Sequence, residues 1–392
     1  MFSREKLRLD YLTLLSEYGL TSPHLYKPPR TVEQQQILDD ITTAVGDKMI
    51  ARIQPFDDPS FQSINYVYTD KSTLRNSNNR VLRLMSAYMN IAHRPLRQKI
   101  YVGEFPTDSI NAEARLTNNG YLILIDSGFI YFLRQALEIL NLTDLRQSQF
   151  WLSGLMAMYA IRKNPVYSPI HPSDSVNGII IMILFNTICD FVLAHEYGHI
   201  IRGHLVHPMP PPHVMHSAAG DLEVISKHWK HEYAADEFAF DLITKEKRFV
   251  TDSHIKTFLG MNYDPKTRKD MALYIAVSRV FAAFAAPRIF FALASMISNV
   301  CNVMANGGCR AEAETTHPPF YRRLENVKRI DGGQSNRFIS CNPFLDLVTR
   351  LEDCTEEVFR VARQIALDTS QIALSWGAAS DNVGVTGYDL ER

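Results

Sequence analysis

The sequence predicts a mainly α protein with a small β-sheet, which is the α+β fold class. Apolar residues recur at helical spacing along most of the chain, whereas Lys99–Gly103 and Gly120–Asp126 have the apolar, β-branched character of strands. The 392 residues, of which 46% are hydrophobic and 21% charged, can bury a substantial core. The formal net charge of −1 provides no global attraction for nucleic acid, so no nucleic-acid partner is expected.

Residues 1–95 are predicted to form a helical N-terminal region. Apolar residues at helical spacing run through Leu7–Leu15 and again through Val81–Met89, and loop-like segments that contain proline lie between them. The two predicted strands follow, and the turn-forming pair Asn118-Asn119 precedes the second strand. These strands begin a central domain that we place at residues 96–330.

Helices are predicted for most of the central domain and for the start of the C-terminal region, residues 331–392, which ends in a loose tail. The uncharged run Ile289–Cys309 is long enough to span a bilayer, but its asparagines and its Gly-Gly pair favour a helix in a buried core. Membrane association is therefore not favoured. The predicted helical segments are 129–161, 176–204, 218–247, 268–304, 318–329 and 343–372.

The cysteines and the N-terminus indicate a cytoplasmic protein. The five cysteines are scattered, odd in number and without CxxC spacing, which favours free thiols over a disulfide framework or a cysteine zinc site. Charged residues occupy the N-terminal positions where a signal peptide would need its apolar segment.

One segment of the central domain has the spacing of a metal site. His195 and His199 are four residues apart, so a helix presents both imidazoles on one face, with Glu196 projecting beside them. Neutral imidazole suits Zn²⁺, and two such ligands leave room for a third ligand and a water molecule. We therefore predict Zn²⁺ as the cofactor and Glu196 as the general base that accepts a proton from this water.

The third metal ligand is predicted on a later helix. A metzincin would have a histidine at the position of Leu205, so that class is not expected. Glu232 and Asp236 are four residues apart on one helical face, where Glu232 can ligate zinc and Asp236 can accept a hydrogen bond from a ligand imidazole. The other histidines near this site are expected to be structural or surface residues: His204, His228 and His231.

These residues lead to a family resemblance. The Glu-x-x-Ala-Asp segment that begins at Glu232 resembles the third-ligand helix of gluzincin peptidases, especially the CAAX-prenyl-protease and heat-shock membrane-protease type. Soluble Lit-type bacterial peptidases share the bare HExxH plan. The resemblance extends by fragments from about Asn111 to Val327 and implies a zincin-like metallopeptidase domain with an active-site HExxH helix.

Two further fragments support the same resemblance. Thr316–Leu324 resembles an element that follows the ligand helix in those enzymes, which implies that His317 is catalytic and that Arg323 supports the site through ionic contacts. Ser109–Gly128 resembles the strand that lies upstream of the zinc helix in the family. It implies an edge strand that pairs with an extended substrate backbone through Leu122, Ile123 and Leu124.

These predictions describe a zinc-dependent endopeptidase that hydrolyses peptide bonds of a protein or peptide substrate. One alternative is a non-proteolytic, zinc-binding regulatory protein, but the general base Glu196 argues against it because a structural zinc site needs no such group. The other alternative is a membrane-associated peptidase of the same superfamily. No residue pattern identifies the substrate or the oligomeric state.

Overall fold

A computed structural model describes residues 2–18, 99–105, 110–141, 145–162, 176–205, 218–249, 265–306, 318–332 and 343–380. Over these residues the protein is mostly helical with one three-stranded sheet, which confirms the α+β prediction at this coarse level. The strands are β1 (Ile100–Phe105), β2 (Ala112–Thr117) and β3 (Gly120–Asp126). The helices are α1 (Phe2–Glu17), α2 (Ser127–Leu140), α3 (Leu145–Arg162), α4 (Val176–Ile201), α5 (Ala218–Phe249), α6 (Pro265–Asn306), α7 (Phe320–Asp331) and α8 (Pro343–Ser380).

Every predicted helical segment that falls on described residues overlaps an observed helix, although α4 ends at Ile201 and not at the predicted residue 204. The predicted segment 129–161 is divided into α2 and α3, and α8 continues to Ser380, beyond the predicted end at residue 372. The predicted helix at Val81–Met89 lies outside the described residues, as does the tail after Ser380. The boundaries of the three predicted regions stay predictions.

The sheet has the strand order β1-β3-β2, so β3 is its central strand. β1 runs parallel to β3, while β2, which was not predicted, forms an antiparallel hairpin with β3 across Asn118-Asn119. The prediction of an edge strand at Leu122, Ile123 and Leu124 is therefore wrong. Their backbone pairs with a neighbouring strand on each side, and none of their side chains is more than 1% exposed.

Helix α1 covers one face of the sheet. The Tyr11 hydroxyl donates a hydrogen bond of 2.5 Å to the Glu104 carbonyl oxygen. The ring of Tyr11 fits against the sheet because Gly103 has no side chain: a Cβ atom there would lie 2.2 Å from Tyr11 Cε2. A separate apolar cluster joins helix and sheet, formed by Leu7, Tyr11, Tyr101, Phe105, Leu122 and Leu124.

The opposite face of the sheet borders the main hydrophobic core. Because side chains alternate along a strand, Ile123 and Ile125 point away from α1 and into this core. Helix α4 lies within the core and packs against α5, α6 and β2. All residues from 187 to 198 are buried, as expected of a helix inside the core, and Phe191, Leu193 and Tyr197 have no exposed surface.

Part of α6 has the length and composition of a membrane span. The segment Ala276–Cys301 has 26 residues and a mean hydropathy of 1.9, and 67% of its apolar window is buried inside the protein. This segment contacts α4, α7 and α8 through core residues such as Ile289 and Phe291. In the described structure it is a core helix, in agreement with the interpretation of the uncharged run that begins at Ile289.

Candidate metal centre

Helix α4 carries the two histidines and the glutamate that the sequence singles out. His195, Glu196 and His199 lie in its last two turns, and His195 and Glu196 are each 7% exposed. Helical spacing brings the two imidazoles to the same face, with ring centroids 4.8 Å apart.

Helix α5 approaches α4 closely at Gly198. A Cβ atom at Gly198 would lie 3.0 Å from Phe238 Cδ1 and 3.3 Å from Ala235 Cα, so the absence of a side chain permits this crossing. The crossing places Glu232 and Asp236 of α5 opposite the histidines of α4. Both acids are buried, with exposures of 7% and 0%.

Three side chains form a group that could hold a metal ion. The Nε2 atoms of His195 and His199 are 3.1 Å apart, and each lies 3.4 Å from a carboxylate oxygen of Glu232. Two ligands of a tetrahedral zinc ion, each at about 2.0–2.1 Å from the metal, are separated by roughly 3.3 Å. The donor atoms are therefore of suitable types, and close enough together, to hold one shared metal ion.

The predicted supporting residues contact these ligands. Asp236 Oδ1 lies 2.9 Å from His195 Nδ1, so the carboxylate can orient the ring. Arg323 donates to both oxygens of Asp236, at 2.6 Å from Nη2 and 2.9 Å from Nε. Its Nη1 is 3.2 Å from Glu232 Oε2, and its guanidinium carbon lies 4.6 Å from the centre of the Phe291 ring.

Burial and neighbouring charges determine the protonation states of His199 and Glu232. Burial opposes protonation of His199 and, together with the nearby charge of His195, lowers its pKa to about 2. Burial also disfavours ionised Glu232, but the hydrogen bond with His195 and the charge of Arg323 outweigh it and hold the pKa of Glu232 below its usual range. His199 is therefore neutral and Glu232 ionised, which are the forms that bind metals.

His195 is subject to opposing influences. Burial and the positive charge of Arg323 lower its pKa, whereas hydrogen bonds with Asp236 and Glu232 raise it, and the result is a pKa of about 9. A cation bound at Nε2 would have to displace this proton from His195, so metal binding would release a proton at neutral pH.

Glu196 is a further buried acid of the site and lies on α4. Burial raises its pKa to about 8; the charges of His195 and Arg323 lower it, and those of Glu232 and Glu113 raise it. The interaction with Glu113 shows that β2 lies close to the site. A carboxyl group with a pKa this near neutrality can exchange a proton under physiological conditions.

His204, which the sequence predicts to be a structural or surface residue, lies next to the site. Its Nδ1 atom lies 3.0 Å from Nδ1 of His199, and its ring stacks on that of His231 with centroids 4.0 Å apart. Burial and the charge of His231 lower the pKa of His204 to about 4. His204 lies three residues after the end of α4, so it is near His199 in the sequence. Helical spacing does not apply beyond the end of a helix, so it could not predict the contact between the two rings.

The other predicted site residues do not join this cluster within the described structure. His317 lies outside the described residues, so its catalytic role stays a prediction. Leu122, Ile123 and Leu124 are interior residues of the sheet. The chain matches no family model, no curated protein and no solved structure. Any functional interpretation therefore depends on the geometry of the metal centre itself.

Proposed function

We propose that this protein is a zinc-dependent endopeptidase of the gluzincin type, with a zincin-like domain built around α4. The observation that carries the proposal is the convergence of His195, His199 and Glu232, with buried Glu196 directly after the first histidine. A structural zinc site needs no additional buried carboxylate beside its ligands, which disfavours a non-proteolytic zinc protein.

In this proposal each residue of the site has a distinct role in peptide hydrolysis. A bound zinc ion would supply a Lewis acid that polarises a water molecule and the peptide carbonyl. Glu196 would accept the water's proton on its carboxylate and pass it to the leaving amine. Burial raises the pKa of Glu196 to about 8, and a divalent cation held beside it would oppose this and favour the carboxylate form. Asp236 would hold His195 through Nδ1, and Arg323 would balance the two acids of α5.

The substrate strand of this proposal is β2. Within the described sheet β2 forms one edge, and it packs beside α4. The Asp126 amide donates a hydrogen bond to the Asn111 carbonyl oxygen, so these two residues form a hydrogen-bonded pair between β2 and β3. In an antiparallel pair of strands, hydrogen-bonded residue pairs alternate with pairs that are not hydrogen-bonded. The backbone groups of Ala112, Ala114 and Leu116 consequently point away from β3. An extended peptide could add to this edge as a further strand.

The role of His317 as an additional donor to the oxyanion is part of the same proposal, as is a cytoplasmic location. The burial of Ala276–Cys301 in the main core favours that location over a membrane-associated peptidase. Fractionation of cells that express the full chain tests it. Recovery of the protein in the carbonate-resistant membrane pellet would support the membrane alternative.

The central test compares two variants with a matched control. Glu196→Gln is expected to retain zinc and to lose about 10²–10⁴-fold in hydrolysis, because the general base is removed while the ligands stay. Glu232→Ala is expected to lose zinc. Glu237→Ala, an exposed acid on the same helix, serves as the control and should match wild type. Zinc is measured by elemental analysis, and cleavage by mass spectrometry of new protein termini in expressing cells.

Two outcomes would contradict this proposal. Wild-type cleavage by Glu196→Gln would exclude it as the general base. An unchanged zinc content in Glu232→Ala would remove Glu232 from the ligand set.

A further inference from the structure

Helix α4 ends in a turn at residues 202–205. The backbone amides of Arg202, Gly203 and His204 donate to carbonyl oxygens of the last helical turn, at 3.0, 3.2 and 2.9 Å. Gly203 has a φ of +71°, in the left-handed region that favours glycine at the end of a helix. This turn directs His204 back against the helix, where its amide bonds to the carbonyl of His199.

The side chains of His204 and His199 meet through the nitrogens that do not face the metal site. Nδ1 of His204 lies 3.0 Å from Nδ1 of His199, whereas Nε2 of His199 faces Glu232. An imidazole that binds a cation through Nε2 carries its proton on Nδ1. His199 then donates this proton to Nδ1 of His204, and the proton of His204 lies on Nε2.

His231 restrains the ring of His204 from a second direction. The two rings are parallel within 9° with centroids 4.0 Å apart, while the rings of His204 and His199 meet edge to face at 72°. His231 directly precedes Glu232 on α5. One turn of α5 therefore provides both the carboxylate that faces His199 and the ring that restrains its neighbour.

We propose that His204 is the positioning residue for His199, and that its stack on His231 keeps it in place. This inference rests on the proposed metal site. The two ligand histidines would thus have different partners: a carboxylate, Asp236, for His195 and a neutral imidazole for His199. A neutral partner suits His199 because Glu196, Glu232 and Asp236 already bring three acids to the site.

The test measures zinc affinity by competition with a chromophoric chelator, which requires no substrate. His204→Phe keeps a ring that can stack on His231 but removes the acceptor for His199. It is expected to weaken zinc binding about 10–100-fold. His204→Gln restores an acceptor and should recover affinity to within about threefold of wild type. Arg202→Gln, an exposed residue of the same turn, is the control and should bind zinc like wild type.

Two additional readouts separate positioning from a general structural role. The thermal unfolding midpoint of each variant after removal of metal should equal that of wild type. In the cobalt-substituted protein, His204→Phe should shift the visible absorption bands and His204→Gln should restore them, because these bands report the orientation of the ligands.

The outcomes distinguish this inference from the proposed function. Equal zinc affinity of His204→Phe and wild type would overturn the positioning role alone. Equal weakening in the Phe and Gln variants, with a lowered midpoint in the metal-free protein, would show that His204 is merely structural. Failure of the wild-type protein to bind zinc would overturn both. Zinc binding that depends on His204, without any hydrolysis, would support the positioning role and contradict the peptidase.

Discussion

In the proposed metal-bound form, the side chains of the site would carry a net negative charge. Glu196, Glu232 and Asp236 carry three negative charges when ionised, and Arg323, which contacts two of them, carries one positive charge. The ligand imidazoles are neutral when they bind a cation. The remainder of two negative charges matches a divalent ion, whose binding would offset the cost of burying these acids together.

Glu138 is a half-buried acid on α2, outside the metal centre. Burial raises its pKa to about 7, although Arg134 partly offsets this through a bond of 3.1 Å. Among the described residues, its Oε2 atom finds no hydrogen-bond partner. The folded protein therefore keeps this proton between about pH 4.5 and 7, where the unfolded chain releases it. Glu138 lowers stability progressively as the pH rises through this window.

The expected consequence is that Glu138→Gln gains stability over wild type as the pH rises. The free energy of unfolding of the variant minus that of wild type should be about 1 kcal/mol larger at pH 8 than at pH 4. This value allows for the partial exposure of Glu138. Urea unfolding of both proteins at the two pH values measures this change. A stability difference that does not vary with pH would show that Glu138 is ionised in the folded state without penalty.

At the scale of secondary-structure elements, the crossing of α4 and α5 determines the spacing of the metal ligands. Gly198→Ala introduces a methyl group 3.0 Å from Phe238 Cδ1 and 3.3 Å from Ala235 Cα, so the Phe238 ring or the backbone of α5 must yield by a few tenths of an ångström. We expect a stability loss of about 1–3 kcal/mol and weaker zinc binding. The double variant Gly198→Ala/Phe238→Leu should recover part of both losses. Wild-type zinc affinity in the single variant would show that the crossing has no influence on the ligands.

The edge of β2 gives a second prediction at this scale. Ala114→Pro removes a backbone amide that points away from β3, so the bonds within the sheet remain. The substrate for this test is a protein whose cleavage is seen with wild type and not with Glu196→Gln. Its hydrolysis by Ala114→Pro should lose about tenfold or more in kcat/KM, mainly because KM rises. Zinc content should stay at the wild-type level. An unchanged KM would exclude this edge as the strand that binds substrate.

The elements that could be predicted from sequence are those fixed by local periodicity. The spacing of His195 and His199 places them on one face of any helix, and the same holds for Glu232 and Asp236. The helices themselves are long and apolar, so their existence follows from spacing alone. A fragment resemblance was needed for Arg323, whose contact with Asp236 spans 87 residues.

The features that could not be predicted depend on contacts that are remote in sequence. β1 pairs in parallel with β3 although β2 lies between them in the sequence, so the strand order β1-β3-β2 depends on a contact that no local pattern encodes. β2 contains Glu113 and Arg115, whose charges obscure its strand character. The contact of His204 depends on the left-handed turn at Gly203, which no helical period encodes.

At the scale of the whole molecule, the sheet separates α1 from the metal centre. Gly103→Ala would place a methyl group against the Tyr11 ring and displace α1. We expect a loss of about 1–3 kcal/mol in stability, with unchanged zinc affinity because α4 lies on the other face of the sheet. Thermal unfolding and chelator competition measure the two quantities.

A double-mutant cycle with Tyr11→Leu provides the control for this prediction. A smaller side chain at position 11 should accept the added methyl group, so the two substitutions together should cost less than the sum of their separate effects. Strictly additive effects, or a fall in zinc affinity with Gly103→Ala, would contradict the separation of α1 from the metal centre.

The late position of Arg323 along the chain has a consequence for protein synthesis. It follows Asp236 by 87 residues, and translation at about 5–20 residues per second needs roughly 4–17 s to cover that distance. During this interval the nascent chain has its histidines and both acids of α5, but not the guanidinium that neutralises Asp236 and Glu232. A peptidase of the proposed kind would thus complete its active arrangement only after Arg323 has been synthesised, which would delay cleavage of proteins near the ribosome.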